Sequence, residues 1–395
     1  MVRSKFQAKH LSQFLKSINM KKVGLYVHFP FCASKCNYCN FNSYANKNEQ
    51  QLKYFQALLK EIGKYKSSKF EVDTIFIGGG TPSFMFDGCI STLLSEIRKN
   101  FVVIEDAEIS IEANPNSVTK LKALEWKESG VNRVSIGLQT INNNSLKLIG
   151  RVHNKQDYIR AVNTVFEAGI NNVNTDCLIG LPKQKQSDVK RMLGLVNKLN
   201  CTHVSVYSLI LEENTPLFDM VRNGQVKLPK EEKTLGMYNY ALKFLRECGM
   251  ERYEVSNFAK PGFECKHNCN TWNMHEYIGL GAGAHGFLNG IRYNNVSTIE
   301  EYISLTSLAK KPIEIEEEVS KTELFEETIM LGLRTKQGIS LEKIKENFNI
   351  DLLEGKSGVI RYLQEQGLIK IANGYLSATD EGFCVLNKII IDIVS

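Results

Sequence analysis

The sequence predicts an α/β protein, a partial TIM-like barrel of parallel strands followed by a small winged-helix-like α+β domain. Three observations carry this expectation. Short apolar runs alternate with amphipathic stretches from Val23 to about Asn257, the pattern of repeated strand–helix units. Polar and glycine-rich residues fall at the same end of successive runs, where a parallel barrel places its chemistry. From Glu314 the composition turns acidic, then reads as short helices and a hairpin.

The apolar runs are residues 23–29, 74–78, 108–112, 133–138, 173–179 and 203–211, and helical patterns cover 51–65, 90–99, 120–129, 158–168 and 188–199. Six such units fit a partial barrel and leave a doubly wound sheet open. The first run is followed by Cys32, Cys36 and Cys39, and the second leads into Gly78-Gly79-Gly80-Thr81-Pro82. Glu112-Ala113-Asn114-Pro115 closes the third, Gln139 follows the fourth, and Asp176 lies in the fifth. Residues 20–257 are therefore expected to form the barrel, 258–313 a connecting region and 314–395 the small domain. In the last, helices are expected around 341–348 and 357–366, a hairpin turns at Asn373-Gly374, and a final helix starts at Asp380.

Composition excludes several classes. The chain has 395 residues, 43% hydrophobic and 23% charged, enough for one large and one small core. Its net charge of +6 is spread along the chain, so nucleic-acid binding is not expected. No acid precedes Glu49, but a single Arg before residue 20 and a short apolar stretch fit neither a transit peptide nor a secretory signal. Residues 1–19 are expected to be a tail without a fold of its own. No run approaches the roughly 18 apolar residues of a spanning helix, so a cytoplasmic protein without stable membrane insertion is expected.

Ten cysteines are too sparse for a disulfide scaffold, and seven are scattered among apolar neighbours, where buried thiols are expected. Cys32, Cys36 and Cys39 differ, since three thiols within eight residues invite metal ligation. The spacing Cys-x3-Cys-x2-Cys can give one thiolate to each of three irons of a 4Fe-4S cube, leaving the fourth iron open. Zinc competes, with His28 or His267 as its fourth ligand; the sequence shows no second cysteine knuckle, and the triad follows a strand that opens a barrel. The triple glycine, alone, reads as a tight turn; beside the cysteine loop it reads as backbone opened to a ligand.

The segment Tyr26-Val27-His28-Phe29-Pro30-Phe31-Cys32, ending in Tyr38-Cys39, resembles the cluster loop of radical SAM proteins. Segments 77–83, 112–115, 134–140, 150–153, 176–182 and 207–216 resemble, in order, the family of the oxygen-independent coproporphyrinogen oxidases and their HemW relatives. The resemblance runs from about Lys21 to the C-terminus. It implies that Cys32, Cys36 and Cys39 hold a 4Fe-4S cluster whose open iron chelates S-adenosylmethionine (SAM). It further implies Gly79, Gly80 and Thr81 at the methionine end, and Glu112, Gln139, Arg151 and Asp176 on its polar groups. Tyr26, Tyr38 and the backbone near Ile210 would lie close to the cluster or the adenine.

Two branches of this family differ at the cluster loop. The oxidase loop resembles Cys-x3-Cys-x2-Cys-x-Cys, whereas here Phe41 takes the last place, as in the HemW branch. The longer N-terminal arm of the oxidase is also missing, since 31 residues precede Cys32. The resemblance thus implies a heme chaperone that binds heme and passes it to heme-accepting proteins; the alternative is a radical decarboxylase of coproporphyrinogen III. HemW-type chains carry His-Asn-x-x-Tyr-Trp, matched here by His267-Asn268-Cys269-Asn270-Thr271-Trp272 with Thr271 in place of Tyr. His267 is the implied heme ligand, residues 258–313 the implied heme-binding region, and His275 and His285 are candidate second ligands. If residues 265–269 are extended, Cys265, His267 and Cys269 share a face and could form a second metal site.

Overall fold

The computed structural model describes residues 20–66 and 70–395, so the expected tail lies outside the described residues. Strands β1 (Lys21–Phe29), β2 (Phe70–Gly79), β3 (Val102–Ala113), β4 (Arg133–Gln139), β5 (Asn172–Ile179) and β6 (His203–Ser208) lie side by side in chain order. All their pairings are parallel. A doubly wound sheet would reverse its order partway; sequential order decides for the barrel. The sixth run, expected to reach residue 211, ends at Ser208, and 209–211 are loop.

The sheet stays open. Beyond β6 it adds β7 (Glu251–Arg252) and β8 (Asn257–Ala259), and beyond β1 it adds β9 (Tyr277–Leu280), β10 (His285–Leu288), β11 (Ile291–Asn295) and β12 (Ile313–Glu318). The acidic stretch from Glu314 therefore starts in the edge strand of the large sheet, paired with β11, and not in the small domain. Its exposed glutamates suit an edge, because charge discourages pairing with another chain. The second apolar core begins on the helix Lys321–Gly332.

Residues alternate with period two even where a strand is buried throughout, as β4 is. Ile75, Ile77, Ile109, Ile111, Val134, Ile136, Val204 and Val206 pack with helix residues such as Leu58, Leu93, Val162 and Leu193. Thr74, Glu108, Ser110, Arg133, Ser135, Asn174, His203 and Ser205 occupy the alternate positions and are buried polar residues of the interior. Such groups must find partners. Asn174 donates to Ser135 (2.7 Å) and its Oδ1 meets His203 Nδ1 (2.6 Å).

The small domain has its own core on Ile329, Ile344, Ile360, Leu363 and Ile389, with β13 (Ile339–Ser340), β14 (Ile369–Ala372) and β15 (Tyr375–Ala378) in one antiparallel sheet. Asn373 and Gly374, at φ 52° and 79°, form the two-residue turn between β14 and β15. The final helix breaks into Asp380–Cys384 and Leu386–Val394. The buried Arg252 fastens this domain to the barrel, donating to Asp380 (2.6 Å) and lying 3.8 Å from the centre of the Phe383 ring. No helix among the described residues is long and apolar enough to cross a membrane. Of the seven scattered cysteines, Cys89, Cys177, Cys201 and Cys265 are buried as expected, whereas Cys248 and Cys269 are half-buried and Cys384 is exposed. Cys384 ends a one-turn helix on the surface.

One buried carboxylate closes the β1 side of the barrel. Glu61, on the helix Gln51–Lys64, accepts from the N–H of Gly281 (2.8 Å), from Asn295 (2.8 Å) and from the Tyr302 hydroxyl. It ties three later segments to an early helix. Glu61→Ala leaves three buried donors without their acceptor and should cost about 3 kcal/mol or more of unfolding free energy, read as a lower urea midpoint. An unchanged midpoint would show that water satisfies these donors.

Candidate functional site

The cysteine loop is built where β1 ends. Cys32 N–H donates to Tyr44 (3.0 Å) and Tyr44 N–H to Pro30 (2.7 Å), pinning the start of the loop. Its middle is held by Asn37, whose N–H and Nδ2 donate to Ile149 and Leu148 at 2.9 Å. The glycine turn after β2 packs directly on it: Gly80 N–H donates to Phe29 (2.7 Å) and Thr81 N–H to Phe31 (2.8 Å). A Cβ on Gly80 would lie 2.8 Å from the Phe31 carbonyl, and Gly79 has φ +111° with the His28 ring where its Cβ would be. Both positions demand glycine.

Cys32, Cys36 and Cys39 line one cleft with Tyr38, Gly79, Gly80, Thr81, Glu112, Gln139, Arg151 and Asp176. The Thr81 hydroxyl donates to Cys32 Sγ (3.4 Å) and Arg151 to Cys36 Sγ (3.7 Å), while the Arg151 guanidinium is braced on the Gly137 carbonyl (2.8 Å). Gln139 reaches the cleft from a left-handed backbone, φ +63°, at an irregularity in the β4–β5 register. Burial pushes the Cys32 and Cys39 thiols up, so these two are neutral in the free loop and lose their protons when metal binds.

The carboxylates give the cleft its sign. Glu112 accepts from Gly79 N–H (3.1 Å), and Asp176 from Asn174 (2.8 Å) and Ser135 (3.1 Å). Desolvation, and then the charge of Asp176, push Glu112 up to about 8; desolvation also raises Asp176. Burial opposes the charge of Arg151, but Tyr38 and Cys36 outweigh it and its pKa is raised. The cleft thus offers three thiols, soft anions once metal displaces their protons, at one end and two poorly solvated carboxyl groups at the other. That donor set suits an iron–sulfur cube and a ligand with an amino group and a sulfonium.

A zinc site would need a fourth donor, and neither expected histidine supplies one. Both nitrogens of His28 are engaged, Nδ1 with Tyr26 (2.9 Å) and Nε2 with the Asn42 carbonyl (2.8 Å). His267 lines a second cavity of about 470 Å³, with Tyr26, Phe41, Thr271, Tyr277 and His285. Among the described residues, no three His, Cys, Asp or Glu side chains form a group that could hold a single metal ion.

Tyr26 and Ile210 lie outside the thiol cleft. Tyr26 is on the wall of the second cavity, and Ile210, 68% exposed, lines another with Tyr207 and Leu235. The cleft also contains Asn114, Ser135 and Gly137, which lie within segments 112–115 and 134–140 but have no implied role in the site. Period two along β4, extended back from Gln139, points to Gly137 and Ser135.

His267 starts a helix, Lys266–Trp272, so the extended face of Cys265, His267 and Cys269 does not exist. Glu108 accepts from the N–H groups of Lys266 (2.9 Å) and His267 (3.1 Å), capping this helix from β3. The His267 ring stacks on Phe76 and shares a 2.9 Å hydrogen bond with Thr74 through Nδ1. Burial, then Arg133, lower its pKa to about 4. His285 shares its cavity, but His275 lines a different one, so the two candidate second ligands serve different spaces.

Residues 26–196 match the radical SAM superfamily and residues 319–385 the HemN C-terminal domain. The heme chaperone HemW of Bacillus subtilis (strain 168) is 35% identical, over 92% of this chain and 97% of that one. This chain belongs to the HemW family of radical SAM proteins. The mitochondrial radical S-adenosyl methionine domain-containing protein 1 of Bos taurus is 32% identical over 95% of this chain and 88% of its own. Coproporphyrinogen III oxidase (HemN) of Escherichia coli shares the fold, with TM-score 0.83 at 21% identity, covering 97% of this chain and 93% of that one. Membership in the radical SAM superfamily brings a 4Fe-4S cluster and SAM, to which the donor set of the cleft is suited.

Gly80→Ala should yield folded protein with substoichiometric iron after reconstitution, measured as iron per chain beside circular dichroism, because the added methyl pushes the cysteine loop off Thr81. A full iron complement would show that the loop yields without loss. Glu112 has a folded pKa of about 8, above its ordinary 4.5. Its contribution to stability is therefore present below 4.5 and lost as pH rises through 8. Glu112→Gln should gain on wild type over that window by up to about 1.4 kcal/mol per pH unit, measured by urea denaturation of the metal-free proteins. Parallel pH profiles would contradict the shift.

Proposed function

We propose that this protein is a heme chaperone that holds a 4Fe-4S cluster on Cys32, Cys36 and Cys39, binds SAM beside it, takes up heme and passes it to acceptor proteins. The observation that carries this reading is the placement of His267 on the wall of a cavity of about 470 Å³ that shares Phe41, Gly79 and Glu112 with the thiol cleft. Its low pKa keeps the ring neutral near pH 7. With Nδ1–H donating to Thr74, the Nε2 lone pair is left for iron. Tyr26, Phe41 and Tyr277 offer aromatic faces to a porphyrin, and His285 a second imidazole. Thr271 lines the same cavity, leaving room where the family motif has a ring.

In the cleft, the bound cluster supplies an open iron for the amino and carboxylate groups of SAM. A cationic ligand would draw the raised carboxyls of Glu112 and Asp176 into their charged forms, and Arg151 steadies Cys36 while facing the ligand carboxylate. The N–H groups of Gly79, Gly80 and Thr81 are already bonded within the protein, so this turn offers the methionine end a close approach and its carbonyls. Tyr38 and Gln139 complete the wall. Tyr26 and Ile210 act from the adjoining spaces. All ten cysteines are free, in keeping with a reducing cytoplasm. Phe41 stands where the oxidase loop carries a further cysteine, which favours a chaperone over coproporphyrinogen decarboxylation.

Hemin titration of the anaerobically reconstituted protein should show a saturable Soret component that His267→Ala removes, without turnover of coproporphyrinogen III in a parallel assay. Turnover without stable hemin binding would replace the chaperone with the oxidase.

A further inference from the structure

The His267 cavity leaves unexplained a larger one, about 680 Å³, in the seam between the far end of the Lys266–Trp272 helix and the small domain. Its size falls within the range of small-molecule sites. Trp272 and His275 form its barrel side, and Lys321, Lys343, Phe348 and Tyr375 its other side. No Asp or Glu belongs to the lining. Lys321 and Lys343 are exposed, and neither takes part in an ion pair among the described residues.

The remaining groups narrow the chemistry. Trp272 brings an indole whose Nε1 is a buried donor without a partner. His275 is exposed on the turn that follows Met274, a residue held at φ 58°, and its backbone N–H is bonded to Asn270. Two unpaired ammonium groups, aromatic walls and an available imidazole describe one class of ligand: a flat apolar body with carboxylates on its edge and a metal at its centre.

We propose that the seam is a second heme site, with the heme carboxylates on Lys321 and Lys343, the macrocycle against Trp272 and His275 as its iron ligand. This rests on the heme-chaperone reading and adds to it a place for the cargo at the surface. One seven-residue helix then joins the two sites, His267 in its first turn facing the barrel and Trp272 at its end facing the seam. Heme in the seam bridges the two domains, with an exposed rim that an acceptor can reach.

The test is hemin titration of the full chain as wild type, His267→Ala, His275→Ala and the double variant Lys321→Gln/Lys343→Gln, followed by the Soret band. All three seam side chains are exposed, so their replacement leaves the cores intact. A hemin component should survive His267→Ala, weaken at least about tenfold in the double lysine variant and shift its Soret maximum in His275→Ala. Loss of all hemin binding in His267→Ala, with both seam variants binding as wild type does, overturns the seam and leaves the chaperone standing. A wild type that binds no hemin overturns both.

Discussion

The barrel mouth depends on two backbone hydrogen bonds, from Gly80 to Phe29 and from Thr81 to Phe31. Through them the glycine turn of β2 lies flat against the start of the cysteine loop, and only a residue without Cβ allows that approach. Everything else in the cleft is referred to this contact. Thr81 reaches Cys32 because its backbone is fixed there, and Gly79 presents its N–H to Glu112 because its φ is positive. The loop of three thiols is long and irregular; what gives it one shape is the neighbouring strand end, not its own sequence.

Below the mouth the interior is polar, and several of its groups satisfy one another in a chain, whereas Ser110 Oγ and Arg133 Nε are buried without a partner. Ser135, Asn174, Asp176 and His203 are linked side chain to side chain, and Glu108 caps the helix that carries His267. Burying such groups is costly unless each is partnered. The interior therefore acts as scaffold as well as lining, since moving one member leaves another unsatisfied. It also keeps the two carboxylates of the cleft poorly solvated, which raises both and holds the proton of Glu112 up to about 8.

Much of this was legible in the sequence because period two and glycine clusters are local signals. All six barrel strands, the place of the cysteine loop and the hairpin at Asn373-Gly374 follow from them. The cleft residues Glu112, Gln139, Arg151 and Asp176 came from ordered motifs, and the structure gathers them on one wall. Other features depended on long-range contacts. That residues 266–272 coil, which removes the face Cys265, His267 and Cys269 would share if 265–269 were extended, reflects a carboxylate on β3 some 160 positions away in sequence. The acidic segment from Glu314 reads as the start of a new domain because its charge marks a surface, but pairing with β11 makes it the edge of the old one. Tyr26 faces the second cavity beside Phe76 and His28, a placement set by neighbours on β1 and β2 that no local pattern reports.

The alternation along β3 has a consequence for how this family can vary. Glu108 and Glu112 lie on the same face of one strand, four residues apart, one supporting the helix of His267 and the other facing the thiol cleft. Inserting or deleting one residue between them would turn one carboxylate into the apolar helix layer while the other stayed inside. The length of this strand between Glu108 and Glu112 is therefore fixed by the two jobs its carboxylates do. A change of residue count is tolerated in the connecting loops, where no such pair of faces has to be kept in step.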